Sequence, residues 1–339
     1  LDPVAIIRDR AAAAGAAIEV QYLPDLLPVQ RFVADHQGEP RTLSAHQAER
    51  WQAALARTQV ALGVPGDSPG GLRSLADAAP GLRWIQGTAA GAGEQLLAAG
   101  LPAERAATLT VTSAAGLHAQ PLAEFALLGM LAFAKDLDVL QTASAESTWR
   151  SRWPMRLLSA SHVLVLGLGG VGLRTAELAH AVGARVTGVR RRVGPPPRGV
   201  DQVLALSAMA EVLPTVDMLV NTLPGTLATR GLLDAGMLTR LPSHAVVVNV
   251  GRGAVLDSAA LIAALDAGRL RAAVLDVVDV EPLPADCPLW GRPDVLISPH
   301  TAALTVDEDE RIVELFCDNL ARFVRDEPMR KVVDLASGY

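Results

Sequence analysis

A chain of 339 residues exceeds the usual span of one hydrophobic core, so two domains are expected. Half of the residues are apolar and only 19% are charged, which excludes a disordered chain. The net charge is a modest −6, and no basic block stands out beyond Arg190-Arg191-Arg192, so no nucleic-acid partner is expected.

The first hundred residues alternate helical and strand patterns. Pro3 to Gly15 reads as a helix stopped by its glycine, and Ile18 to Leu23 as a strand. Ser44 is placed to cap a helix running to Arg57. Val60 to Val64 is an apolar strand, Gly71 to Ala79 a helix, Leu82 to Gln86 a strand and Thr108 to Thr112 another. Such alternation predicts parallel sheets wound by crossover helices.

Pro121 to Lys135 is apolar on nearly every face and reads as a buried helix joining two domains. Its apolar run is broken by Glu124 and is too short to span a bilayer, so no membrane partner is expected. The polar stretch Asp136 to Pro154, with Trp149 and Trp153, reads as a surface loop or an arm reaching another subunit.

A second βα series begins at His162. Val163 to Leu166 is a strand, followed by a glycine turn and a helix to about Val182, then a strand from Arg185 to Val189. Gly194-Pro195-Pro196-Pro197 can only be loop. Further strands are expected at Met218 to Asn221, Ala245 to Val250, Ala273 to Val277 and Val295 to Ser298. A last helix from about Asp307 to Arg325 carries Ile312, Leu315, Phe316, Asn319, Leu320 and Phe323 on one face, as if to pack on the first sheet. Cys287 and Cys317 make neither a disulfide framework nor a metal cluster, and no metal is expected. With no leader-like N-terminus, the expected location is the cytoplasm.

The most specific local signal is Gly167-Leu168-Gly169-Gly170-Val171-Gly172, because it follows a strand and opens a helix. Gly167 permits the tight turn, Gly169 lets the backbone approach a pyrophosphate, and Gly172 allows helix to pack on strand. The helix N-terminus then offers free N–H groups and a positive dipole end to phosphates. A dinucleotide is therefore the expected cofactor. Arg190 stands where an acidic residue would bind the ribose hydroxyls, and Arg191 follows it. Arginine can hold a 2′-phosphate through two hydrogen bonds, so NADP(H) is expected ahead of NAD(H).

Three more stretches sit at strand ends: Val248-Asn249-Val250-Gly251-Arg252-Gly253, Leu275-Asp276-Val277 with Glu281-Pro282, and Ser298-Pro299-His300-Thr301-Ala302. With them the chain resembles the D-isomer-specific 2-hydroxyacid dehydrogenases, which include glyoxylate/hydroxypyruvate reductases. The resemblance extends to Leu82-Arg83-Trp84-Ile85-Gln86, Pro121-Leu122-Ala123-Glu124, Thr229-Arg230-Gly231-Leu232 and Val333-Asp334 with Gly338-Tyr339.

The resemblance implies an α/β fold with two doubly wound parallel-sheet domains, a Rossmann dinucleotide domain (118–301) inserted into a flavodoxin-like substrate domain (1–117 and 302–339). Closure of a cleft between them would exclude water. It implies Arg252, Glu281 and His300 as the catalytic group. Arg252 would hold the substrate carboxylate, His300 would pass a proton to the carbonyl oxygen, and Glu281 would orient the imidazole and favour its protonated form. Gly170, Val171, Leu223, Pro224, Val250, Gly251, Asp276 and Ala302 are implied cofactor contacts, together with Arg252 and His300. Ala90 and Gly91 are implied backbone donors to the substrate carboxylate. His118 stays unassigned, an ordinary loop histidine being the simpler reading. The expected reaction is reduction of a small 2-keto acid to the D-2-hydroxy acid by a homodimer. The alternatives are a dinucleotide-sensing corepressor-like protein and a dehydrogenase of phosphoglycerate or phosphite. Little of the family's opening strand precedes Pro3, so the N-terminus is expected to be trimmed or variant. The extra regulatory domain of some phosphoglycerate dehydrogenases is not expected.

Overall fold

The computed structural model describes residues 2–89 and 91–333. The chain divides into two compact units, one formed by the stretches up to His118 and from Leu304 onward, the other by Ala119–Ala303.

The first unit opens with α1 (Pro3–Ala13), capped by the Asp2 carboxylate on the Val4 N–H. In α2 (Ala45–Ala56), Ser44 and Gln47 form a reciprocal capping box. A three-stranded parallel sheet follows in the order β1 (Val60–Leu62), β2 (Trp84–Gln86), β3 (Thr110–Thr112). Helices α3 (Pro69–Ala78), α4 (Ala92–Ala98) and α5 (Ala103–Thr108) are the crossovers. Ile18 to Leu23 is not a strand. Ile18 and Val20 turn inward, as the alternation predicted, but the segment has no ladder partner. Alternation reports a half-buried extended segment, while a strand also needs a neighbour for its backbone groups.

The second unit begins with α6 (Ala119–Ala134). It lies so close to its sheet that a Cβ on Gly129 would meet Val274 at 2.6 Å. Not all of its apolar surface is buried as expected, because Leu128 and Leu131 face outward. The presumed loop after it is largely a helix, α7 (Leu137–Ala145), anchored where Arg271 bridges Asp136 and Asp138. Only Glu146 to Leu157 stays irregular, apart from turns. Seven parallel strands follow: β4 (His162–Leu166), β5 (Arg185–Val189), β6 (Gln202–Leu204), β7 (Met218–Asn221), β8 (Val246–Asn249), β9 (Ala272–Leu275) and β10 (Val295–Ile297). Helices α8 (Gly170–Ala181), α9 (Met209–Val212), α10 (Ala235–Leu238) and α11 (Ser258–Asp266) pack around them.

The strand order is β10-β9-β8-β7-β4-β5-β6. The chain leaves β4 first towards β5 and β6, then returns to the other side at β7. That reversal is the topological switch point at which ligands bind in doubly wound sheets. Val163 to Leu166 are wholly buried, so both faces of β4 are covered. This explains the continuous apolar run in a strand where a half-exposed sheet would alternate.

The chain then returns to the first unit with α12 (Glu308–Val324). Phe316 stacks on Trp84 of β2 at 5.0 Å, and Phe323 lies 5.5 Å from the same indole. The buried face is wider than the sequence stripe, since Val313 and Cys317 are also covered. Val333 continues onto β3 through its N–H to the Val111 carbonyl.

Candidate active site

The glycine turn lies at the switch point, between the ends of β4 and β7. Gly167 has φ +92°, a conformation that favours glycine. A Cβ on Gly172 would stand 1.8 Å from the Gly167 carbonyl oxygen, so only glycine lets α8 start this close to the strand. A Cβ on Gly169 would meet nothing within 4 Å, and Gly169 and Gly170 are exposed. The N-terminus of α8 has no side-chain cap and no acidic residue in its first turn. Uncapped N–H groups, open space in front of them and an unopposed dipole fit a pyrophosphate.

Thr222 holds the turn in place, and the sequence reading missed it. Its hydroxyl reaches both the Leu166 and Gly167 carbonyls at 2.9 Å. Leu223 then packs beside Gly167, and Pro224 follows in the same loop.

The loops after β7 and β8 are joined by a buried asparagine pair, to which the sequence reading gave no role. Asn221 donates to Asn249 Oδ1 at 2.8 Å and accepts from the Leu223 N–H at 3.1 Å. Asn249 Oδ1 accepts from the Gly251 N–H at 3.3 Å. Both side chains are fully covered, and the Val250 N–H pairs with the Asn221 carbonyl. The only signal in the sequence was an amide at the end of two apolar strands, which reads equally as a turn residue.

Arg252 follows directly. Its guanidinium is half-buried and bonds the Gly251 carbonyl at 2.9 Å. A Cβ on Gly253 would lie 1.8 Å from the Val278 carbonyl oxygen, so the Arg252 turn presses on the loop after β9. In that loop Glu281 accepts from the Val278 N–H through Oε1 and meets His300 Nδ1 through Oε2 at 2.7 Å. Arg252, Glu281 and His300 thus follow the carboxyl ends of the neighbouring strands β8, β9 and β10. Glu281 and His300 are both well exposed, so solvent screens their attraction.

Asp276 ends β9 and is buried. Its Oδ1 accepts from the Ser298 hydroxyl at 2.7 Å and from the Ala302 N–H at 2.9 Å. It is neither a helix cap nor an ion pair. His300 between them has φ +55°, unusual for a residue with a Cβ.

Arg190 follows β5, and Arg191 beside it is exposed. Arg190 Nη2 bonds the Pro195 carbonyl at 3.1 Å, while its Nε is buried without a partner. In the first unit, Gly91 caps α4, whereas Ala90 lies outside the described residues, as do Asp334, Gly338 and Tyr339. His118 is no ordinary loop histidine. Its Nε2 and that of His36 each lie 3.1 Å from Oε1 of buried Glu308.

Residues 127–302 match the model of the D-isomer specific 2-hydroxyacid dehydrogenase NAD binding domain. The chain belongs to the D-isomer specific 2-hydroxyacid dehydrogenases. Among relatives of this dehydrogenase, glyoxylate/hydroxypyruvate reductase A of Salmonella heidelberg is 32% identical over 218 residues, covering 64% of this chain and 68% of that one. A D-isomer specific 2-hydroxyacid dehydrogenase from Xanthobacter autotrophicus Py2, solved in complex with NADPH and MES, superposes with a TM-score of 0.76 at 30% identity. That match covers 100% of this dehydrogenase and 95% of the other chain. An NADPH-dependent glyoxylate/hydroxypyruvate reductase from Sinorhizobium meliloti, solved with NADP and sulfate, gives 0.72 at 25% identity over 83% and 86% of the two chains. The dehydrogenase is thus an enzyme with two parallel sheets, the larger in Rossmann order. Among the described residues no helix is long and apolar enough to cross a membrane, and no acid, histidine or cysteine group could hold a metal ion.

Proposed function

We propose that this dehydrogenase reduces a small 2-keto acid, glyoxylate or hydroxypyruvate, to the D-2-hydroxy acid with NADPH. The observation that carries the reading is the 2.7 Å pair of His300 Nδ1 and Glu281 Oε2, next to the Arg252 turn at the end of the sheet that carries the glycine turn. In the proposed reaction NADPH supplies the hydride. Arg252 pairs with the substrate carboxylate and fixes the carbonyl carbon relative to His300. Glu281 occupies Nδ1, so Nε2 is the nitrogen that gives its proton to the carbonyl oxygen.

The unit Ala119–Ala303 is the dinucleotide-binding domain in this reading, and the rest of the chain is the substrate domain. Gly167, Gly169, Gly170, Val171 and Gly172 take the pyrophosphate. Arg190 and Arg191 take the 2′-phosphate. The NADP(H) found with several solved relatives supports that preference. The active form is a homodimer, supported by outward-facing Leu128, Leu131, Leu137 and Leu140 on consecutive helices and by fully exposed Trp149, and it works in the cytoplasm.

The test is oxidation of NADPH and NADH with glyoxylate, hydroxypyruvate and pyruvate, with phosphoglycerate and phosphite assayed in the oxidative direction. Turnover of the first two with NADPH is expected. Faster turnover with NADH, or with phosphoglycerate or phosphite alone, would overturn this reading.

A further inference from the structure

The imidazole of His300 is held by one exposed carboxylate, yet the backbone beneath it is clamped from within the protein. Asp276 Oδ1 receives the Ser298 hydroxyl two residues before His300 and the Ala302 N–H two residues after it. The His300 N–H itself donates to the Asp276 carbonyl at 2.9 Å. One buried residue thus grips the loop before, at and after His300, which sits in the left-handed region. A residue with a Cβ does not stay there unless its surroundings impose it. Only Oδ1 serves both flanks, so the carboxylate must keep one rotamer. The Ser298 hydroxyl, buried with it, is the contact that adds to that constraint from a side chain.

We infer that Ser298 is a positioning residue for the proton transfer, acting through Asp276 to fix the left-handed backbone of His300. Ser298 touches neither substrate nor cofactor in this scheme. Its hydroxyl orients the carboxylate, the carboxylate fixes Ala302, and the imidazole is carried at one angle above the strand end. Ser298→Ala removes the hydroxyl and leaves Oδ1 to the Ala302 N–H, so the carboxylate is held less firmly, while Ser298→Thr keeps the hydroxyl. The inference rests on His300 being the proton donor, and the test separates the two.

The experiment compares Ser298→Ala, Ser298→Thr and His300→Ala in the full chain with NADPH and glyoxylate, measuring kcat, KM for glyoxylate and NADPH affinity by fluorescence. Thermal unfolding is followed alongside. For Ser298→Ala, kcat is expected to fall by roughly tenfold to a hundredfold, since small misplacements of a proton donor cost that much. NADPH affinity falls by less than kcat does, a split that loss of folded protein would not produce. The threonine variant recovers most of the rate. Unchanged kcat in Ser298→Ala, with His300→Ala inactive, overturns the positioning role and leaves the proton donor standing. Wild-type turnover in His300→Ala overturns both.

Discussion

A Cβ on Gly172 would fall 1.8 Å from the carbonyl oxygen of Gly167, whereas one on Gly169 would meet no protein atom within 4 Å. The two glycines therefore differ in purpose. Gly172→Ala drives α8 away from β4 and should cost about 1–3 kcal/mol of stability, as overpacking does, and weaken the cofactor as well. Gly169→Ala should leave the thermal midpoint unchanged and weaken NADPH by roughly tenfold or more, because the added methyl occupies space assigned to the pyrophosphate. Calorimetric unfolding and fluorescence titration of the two variants check this. Equal loss of stability in both would count against it.

Arg252→Ala should raise KM for the keto acid and lower kcat together, since it removes binding and orientation at once. His300→Ala should lower kcat by roughly 10²–10⁴ and leave NADPH affinity near wild type. Steady-state kinetics with glyoxylate and direct cofactor titration separate the two effects.

Arg190→Ala should raise KM for NADPH by roughly tenfold, about the loss of one charged hydrogen bond, and leave KM for NADH little changed. The Arg190 side chain bonds its own loop, through the Pro195 carbonyl. The variant therefore has little reason to unfold. An equal effect on both cofactors would remove Arg190 from the 2′-phosphate site.

Glu308 gives the first unit a pH dependence. Burial raises the pKa of its carboxyl, but hydrogen bonds from His118 and His36 outweigh that and bring it down to about 2. For His36, burial lowers the pKa, while the hydrogen bond to Glu308 and the charges of Glu308, Asp309 and Asp67 raise it further. The Glu308 contribution is present above the unfolded carboxyl pKa and is lost as pH falls towards 2. The His36 contribution is complete below the unfolded histidine pKa and is lost as pH rises through its raised folded value. Together they are largest between about pH 4.5 and 6.5. Glu308→Gln should lower stability there by about 3 kcal/mol, and by less at pH 8.5. Urea unfolding at pH 5.5 and 8.5 measures the difference.

Leu128→Glu with Leu140→Glu should convert a dimer to a monomer in sedimentation velocity, because the charges fall on the outward apolar faces of α6 and α7. An unchanged sedimentation coefficient would place the dimer contact elsewhere.

Most of the larger sheet was legible because most of its strands are short apolar runs ending in a residue of another kind, whereas β6 (Gln202–Leu204), three residues opening on a glutamine, went unread. Met218–Asn221 was bounded to the residue by that contrast. The glycine turn was legible because its spacing serves one geometry. Ile18 to Leu23 misled because a period of two speaks for burial and says nothing about a partner. The helix at Leu137–Ala145 was hidden by polar residues, and its anchor, Arg271, lies far along the chain. The roles of Thr222, Asn221, Asn249 and Ser298 went unread for the same reason. Their value lies in which distant backbone atom each one reaches, and one-dimensional spacing does not carry that.

The stack of Phe316 on Trp84 has a consequence for how the protein is made. Trp84 leaves the ribosome early, and Phe316 follows only after Ala119–Ala303 has been synthesised in full. The larger sheet can assemble while the chain is still growing, but the nascent first unit must wait with its indole uncovered until α12 arrives. A ribosome stalled once residue 303 has cleared its exit tunnel, with α12 still inside, would therefore display a finished dinucleotide fold and an adhesive, half-built first unit, the form in which a chaperone would meet this chain.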